Sequence, residues 1–573
     1  MAHQPFVPNP LDASRWENIE PLGRALLERQ VNSPAEFERW LLDRSELDAA
    51  CAESRAILSI AMTCQTDDPE KAGAYSRYIE EVPPRLRPLA FELDTKQVAL
   101  HAKFPLDRRR YEVLERSVRT DVELFRAENV PLMTELEQKG QEFQKIAGAM
   151  TVQFDGQERT LPQMAPYLQS TDRSVRESAW RGVNDRRLRD KETLDSLFDA
   201  MIATRNRVAL NAGFENYRDY AFRSMRRFDY TPKHCETFHD AVEKHVVPAL
   251  CRMSDRRRQN LSLTSLRPWD MSVDEKGRPP LKPFTDGGDL LQRSRRVFAR
   301  LDPSPGGLND MFRSLGDNGT PGMCLDLDAR KGKAPGGYQE MLHRSRRPFI
   351  FMNAASVHSD METLVHEAGH AFHSLLCRDE PLVAYREAPI EFCEVASMSM
   401  QILTMPLWDE YYRSPSDRGR AAKAHYERVI TILAWIAQMD AFQHWIYLNP
   451  KHTHDERNAH WLHLDARFGP PIDWSGLADA RAWQWQRQLH LFLHPFYFIE
   501  YGIAQLGALG LWLHSLEKGT ASALERYKRA MRLGGSRPLP ELFEAAGLPF
   551  DFGEATVSRL IGAVETEMAK VQD

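Results

Sequence analysis

The chain has 573 residues, 42% of them hydrophobic and 27% charged, with a formal net charge of −6. Such a length exceeds what one growing core holds, so two or more packed units are expected, and the acidic balance argues against a nucleic-acid or anionic-membrane partner. Seven cysteines, an odd number with no C-x-x-C pair, fit reduced thiols in a cytoplasm better than a disulfide framework, and no apolar run reaches the roughly 18 residues of a membrane span.

In chain order, Met1 to Pro8 lacks a charged start followed by an apolar stretch, so a soluble, unexported protein is expected. Helical periodicity then dominates from residue 14 to about 260, interrupted at Pro83-Pro84 and Pro88. Ser33 and Glu36 spell a capping box with Pro34 at the first helical position. Two short β-prone runs flank Asp155-Gly156 between Thr151 and Thr160, which reads as a hairpin. The basic runs Arg108-Arg109-Arg110 and Arg256-Arg257-Arg258 read as solvated helix faces. Segments 262–289 and 302–337, rich in Pro and Gly, are expected as irregular connections. The division drawn from this pattern is an N-terminal helical part over residues 1–195 and a second part over residues 196–573.

The most informative stretch is His366-Glu367-Ala368-Gly369-His370-Ala371-Phe372-His373. H-E-x-x-H on a helix brings two imidazoles and a carboxylate to one ion, the pattern of zinc hydrolases. Ser359 and Glu362 form an S-x-x-E pair before an apolar periodic run, so a helix is expected to start there and end before Pro381. On it His366, His370 and His373 share one side, facing a cleft, opposite Met361, Leu364, Val365, Ala368, Phe372, Leu375 and Leu376. His366 and His370 lie about 6 Å apart along the axis and can share an ion; His373, about 10.5 Å from His366, reads as an orienting group. Glu367 projects about 100° away and is the natural general base.

A catalytic zinc needs a third protein ligand and an open position. The metzincin pattern is excluded, because it requires Gly at position 373 and His at 376, where this chain has His373 and Leu376. Glu387, Glu391 and Glu394 follow within reach, and the spacing of Glu391 and Glu394 leaves the choice between them open. Further on, Tyr497 and Tyr501 are i, i+4 and share a face if a helix starts at Pro495, with His490 and His494 just before it. Their phenols are suitable oxyanion donors, although the surrounding Phe492, Phe496 and Phe498 fit an ordinary aromatic core equally. His452, His454, His460 and His463 lack a carboxylate or cysteine at ligand spacing and are not read as a metal site.

With Gly369 and His373 added to the generic motif, this chain resembles the oligoendopeptidase F and thimet-oligopeptidase-like zinc metallopeptidases. Their ligand glutamate sits in an E-x-A-S context, which here is Glu394-Val395-Ala396-Ser397. The resemblance thus implies Glu394 as third ligand, with Glu391 supporting the site from behind. Leu325 to Tyr338 resembles the family's Gly-rich loop, in which Lys333 is a candidate substrate contact. Pro348 to Asn353 resembles its substrate-side edge strand, and His490 to Gln505 its tyrosine segment, which implies catalytic roles for His490 and at least one of Tyr497 and Tyr501. Gln401 stands where many relatives carry Glu. The implied fold is mainly α, zincin-like, with two helical halves enclosing a channel and a small β-sheet beside the metal-binding helix. The implied activity is hydrolysis of internal bonds in short unstructured peptides with one zinc per chain. The alternatives are an exopeptidase or dipeptidyl carboxypeptidase on the same scaffold, and a non-catalytic peptide-binding protein.

Overall fold

The computed structural model describes residues 5–319, 324–330, 332–334 and 336–573. Met1 to Gln4 of the N-terminal reading, and Lys331 and Pro335 of the Gly-rich loop, lie outside the described residues.

Several helices begin where the sequence supplies a cap. The Ser33 hydroxyl accepts the Glu36 N–H at 3.2 Å, and the Glu36 carboxylate accepts the N–H of Asn32 at 2.7 Å, opening the helix Pro34–Cys64. Pro83 starts the helix Pro83–Lys103, and Pro88 lies inside that helix instead of ending it. Strands Thr151–Phe154 and Gln157–Thr160 pair antiparallel around Asp155 (φ 53°) and Gly156 (φ 72°), the left-handed pair that a two-residue hairpin turn requires. The two segments expected as connections are partly ordered. Asp286 caps the N–H of Asp289 at 2.9 Å to open the helix Gly287–Leu301, and the second segment carries the helix Leu308–Ser314 and the strand Leu325–Asp328. Arg108 and Arg109 face solvent, but Arg110 bridges to Glu380 at 2.9 and 2.5 Å.

Buried apolar side chains form two clusters. The smaller runs from Val7 to Tyr111 and adds only Leu382 and Tyr385; the larger extends from Phe143 to Val564. The architecture is mainly helical in two halves, and two adjoining cavities of about 500 and 210 Å³ lie where they meet. Both are lined by Val113, Ser117, Arg226, Val383 and Ala384.

The larger sheet has three strands in the order Leu325–Asp328, Arg347–Ala354, Tyr338–Leu342, the first pair parallel and the second antiparallel. The segment expected to be an edge strand is therefore central, hydrogen-bonded on both sides. Its unbroken buried run from Pro348 to Met352 is the reason, since a near-continuous apolar run marks a covered strand. Tyr338–Leu342 is an edge instead. Because Ile350 N–H points to the carbonyl of Cys324, the pairing parity turns the backbone groups of Gln339 and Met341 outward.

Candidate active site

The motif helix is His358–Cys377. Its cap is Asp360, whose carboxylate accepts the N–H groups of Ala355 (2.7 Å) and Val357 (3.1 Å), and not the expected Ser359–Glu362 pair. Glu362 is buried and accepts from His425 (2.7 Å) and Arg428 (3.1 Å). Burial opposes its charge, but the His425 bond and the surrounding cations hold its carboxyl down to about 2. The apolar face, Met361, Leu364, Val365, Ala368, Phe372 and Leu375, enters the large core as the spacing predicts.

A second helix, Ile390–Leu403, crosses the first at Gly369. A Cβ on Gly369 would lie 2.5 Å from Ser397 Cα and 2.6 Å from the Ala396 carbonyl oxygen, so only glycine permits this approach. The buried Tyr527 hydroxyl sits 3.3 Å from the Gly369 carbonyl oxygen and 3.4 Å from that of Ala396, clamping the crossing. Glu394 is thereby brought to the histidines, its Oε2 at 3.4 Å from His366 Nε2 and 3.6 Å from His370 Nε2. Glu391 is not in this cluster; it accepts the Tyr230 hydroxyl at 2.6 Å, next to the buried Arg227–Glu500 pair.

The donor set fits a divalent cation. Both ion pairs of Glu394 are to histidine, and the Ser397 hydroxyl donates to its Oε2 at 2.9 Å. Burial opposes charge on Glu394, yet the histidines and Ser397 keep its carboxyl down to about 2. Burial also disfavours charge on both imidazoles, holding His370 at about 4, while at His366 the bond and charge of Glu394 outweigh it and raise the ring to about 9. His366 Nδ1 lies 3.3 Å from Gln401 Oε1, so the ring donates there while its Nε2 faces Glu394 Oε2. This neutral amide is Gln401, the residue that stands where many members of the resembled family carry Glu.

Glu367 is only 7% exposed, and burial, followed by the nearby Glu394 against the pull of His366, raises its carboxyl to about 7. His373 does not face the cleft. It shares the azimuth of His366 but sits two turns along, where the crossing helix covers it to 2% exposure, with Nδ1 3.7 Å from Cys393 Sγ.

The tyrosine segment is built differently. Its long helix is Phe498–Lys518, so Tyr497 stands at the N-cap, following Phe496 at φ 68°. This turn is held from afar: Arg227 donates to the Phe496 carbonyl at 2.5 Å and to Glu500 at 2.8 Å, and the Phe496 N–H donates to Gln443. Arg205 donates to the Leu491 carbonyl at 3.3 Å and to that of Phe492, fixing the short helix Leu489–Leu493. The Tyr497 hydroxyl reaches to 3.4 Å from Glu394 Oε1, and the rings of Tyr497 and Tyr501 lie 5.0 Å apart. Burial, then the charge of Glu394, pushes both phenols above their ordinary range, so both stay protonated donors. The His490 ring is 5.6 Å from Tyr497 and 6.1 Å from Tyr501; burial lowers it to about 4, which leaves it neutral at physiological pH.

The peptidase family M3 model matches residues 166–293 and 309–560, more than half of the sequence, and every ligand and catalytic candidate above lies in the second stretch. The chain belongs to peptidase family M3. It is thus in a metallopeptidase family, and its relatives there are oligopeptidases. It is 22% identical over 401 residues to an oligoendopeptidase F homolog of Lactococcus lactis subsp. lactis, covering 67% of this chain and 61% of that one. It is 21% identical to the oligopeptidase PepF of Bacillus subtilis, over 67% of this chain and 55% of that one. The chain therefore spans less than two thirds of the length of these curated relatives. Among solved structures, a 3.1 Å X-ray structure described as an oligoendopeptidase F superposes with a TM-score of 0.89 at 27% identity, covering 100% of this chain and 99% of the other. PZ peptidase A with an inhibitor gives 0.88 at 25% identity, with 99% of each chain covered.

Several supporting residues of this M3 member carry no local signal. Arg205, Arg227, Gln443 and Tyr527 act through contacts distant in sequence, and a single chain cannot reveal them. Lys333 has a structural place: its buried ammonium donates to the Asp326, Asp328 and Met352 carbonyls at 3.0, 2.9 and 2.6 Å and to the Asp326 carboxylate at 2.8 Å. It pins the Gly-rich loop to the sheet and is spent in doing so.

Proposed function

We propose that the chain is a zinc-dependent oligoendopeptidase that hydrolyses internal bonds of short, extended peptides. The observation that carries this reading is the convergence of His366 and His370 on Glu394, at 3.4 and 3.6 Å from its Oε2, with Glu367 buried beside them and the Tyr497 hydroxyl 3.4 Å from Glu394. His366, His370 and Glu394 would hold one zinc, which when bound acidifies water and polarises the scissile carbonyl. Glu367 takes the proton of the attacking water and delivers it to the leaving amine, a task suited to a carboxyl raised to about 7. Tyr497 or Tyr501 donates to the developing oxyanion, and neutral His490 stands beside them as a further donor.

The substrate pairs along Tyr338–Leu342, whose outward Gln339 and Met341 backbone groups accept an extended strand by β-augmentation. This assignment replaces the Phe349 to Asn353 strand, which is occupied on both edges. Affinity from main-chain pairing makes side-chain preference broad and requires an unfolded segment. Seven unpaired cysteines support a reducing, cytoplasmic location, and among the described residues no helix is long and apolar enough to cross a membrane. Mass-spectrometric digestion of a mixed peptide library tests the activity. Internal cuts are expected; cuts confined to termini would favour an exopeptidase, and an undigested library would favour a peptide-binding protein.

A further inference from the structure

The arginines around the two adjoining cavities are already paired: Arg116 with Asp229 at 3.2 Å, Arg226 with Asp121 at 2.5 Å and Arg227 with Glu500 at 2.8 Å. A third cavity, of about 240 Å³, is built differently. Its walls are largely apolar, with Phe143, Leu161, Leu188 and Leu489 among them, and none of its described lining residues is Asp or Glu. Half-buried Arg187 and exposed Arg487 line it too, and neither guanidinium has a hydrogen-bond or ion-pair partner among the described residues. Burial lowers both groups below the ordinary guanidinium range, Arg487 to about 10, where the neighbouring charge of Arg187 adds to burial. Asp465, whose charge opposes this at a distance, is bonded to Arg481 at 2.6 Å. Two like charges beside an apolar wall without a counter-ion are costly, and a bound anion relieves both.

Contacts tie the pair to both parts of the candidate site. The Arg487 guanidinium lies over the Trp435 ring at 4.8 Å, and Trp435 is on the helix Pro415–Leu448 with Arg428, which reaches Glu362 of the motif helix at 3.1 Å. Positions i and i+7 share a helix face, so Arg428 and Trp435 line one side about 10.5 Å apart. Trp435 Nε1 also donates to Gln488 Oε1 at 3.2 Å, and Gln488 Nε2 lies 2.9 Å from His490 Nδ1, beside the tyrosines.

We propose, on the oligopeptidase reading above, that Arg187 and Arg487 bind the C-terminal carboxylate of the peptide substrate, with its apolar terminal side chain seated against Leu161, Leu188 and Leu489. Two guanidinium groups offer a carboxylate planar, charge-assisted donors, and the apolar wall takes the side chain that a terminal residue carries beside its carboxylate. An Asp or Glu side chain would satisfy the arginines but leave that wall empty. At about 240 Å³ the cavity is smaller than the roughly 300–1,000 Å³ of drug-sized ligand pockets, so it takes one terminal residue and not a longer chain. Anchoring the terminus fixes how far from it a short peptide is cut.

Binding is measured by calorimetry on the full chain carrying Glu367→Gln, which suppresses cutting, with a short Leu-terminated peptide as free acid and as C-terminal amide. The acid is expected to bind about 10-fold to 100-fold more tightly, as hydrogen bonds to a charged group warrant. Arg187→Gln and Arg487→Gln, each added to that background, are expected to erase most of the preference while the affinity for the amide stays. Equal binding of acid and amide, or a preference that survives both substitutions, would overturn the assignment. So would an amidated peptide ending in Asp that binds as tightly as the free acid, which gives the pair to a side-chain carboxylate. If a substitution impairs folding, the acid and amide comparison decides alone. Digestion of the mixed library by the wild type separates the two levels: internal cuts without an acid preference remove the subsite alone, and an uncut library removes the peptidase reading with it.

Discussion

The two helices that carry the proposed ligands and the tyrosine segment meet at one candidate site but are built in opposite ways. His358–Cys377 and Ile390–Leu403 carry their functional groups on regular backbone, so helical spacing and one close crossing at Gly369 bring His366, His370 and Glu394 together. The segment from Leu489 to Tyr501 leaves regular geometry at Phe496 and depends on Arg205, Arg227 and Gln443 from distant helices. A function written on periodic backbone needs little outside help. One written on a turn needs buried cations to hold the carbonyls that the turn leaves unpaired.

The comparison can be broken most forcefully at the base. Glu367→Gln is expected to retain metal while losing about 10²–10⁴ in turnover, read by metal analysis beside steady-state kinetics; near-normal rates would remove Glu367 from the mechanism. On the other side, Tyr497→Phe or Tyr501→Phe is expected to cost about 10²–10³ in kcat with little change in KM. Normal turnover in both variants would return these rings to the aromatic core.

The dependence on distant cations is sharpened by Arg227→Met. Removing one partner leaves the Glu500 carboxylate and the Phe496 carbonyl buried without a donor, which is expected to cost about 3–5 kcal/mol in denaturant unfolding. Turnover should fall while the metal of the ligand helices stays, and equal loss of both would contradict the division drawn here.

The smallest expected effect lies at the start of the motif helix. Glu362→Gln weakens the His425 and Arg428 contacts and is expected to cost about 1.5–3 kcal/mol. The folded carboxyl is held at about 2 against an ordinary 4.5, so its stabilisation is complete above the ordinary value and disappears as pH falls toward 2. Unfolding curves of wild type and variant should therefore converge as the medium is acidified. A gap that widens toward acid would reverse the assigned sign.

Much of the candidate site is legible because the motif helix obeys a single period. Its apolar face, its paired histidines and the carboxylate beside them all follow from that helix. The choice of Glu394 over Glu391 needed the E-x-A-S resemblance, since their spacing is ambiguous until the crossing at Gly369 fixes which one turns inward. His373 was misread as facing a cleft because azimuth on an isolated helix says nothing about the helix that lies across it. The run Pro348 to Met352 was assigned to an edge although its continuous apolarity marks a central strand. The true start of the tyrosine helix at Phe498 was hidden, because a left-handed phenylalanine stabilised by remote arginines has no local signature.

The most direct test of the central claim is zinc content in Glu394→Ala set against Glu391→Ala. Glu394→Ala is expected to lose one zinc per chain relative to wild type, because it removes the carboxylate lying 3.4 and 3.6 Å from the two imidazoles. Glu391→Ala, which breaks only the Tyr230 bond, is expected to keep it. Loss of zinc in Glu391→Ala with retention in Glu394→Ala would contradict the metal centre described here.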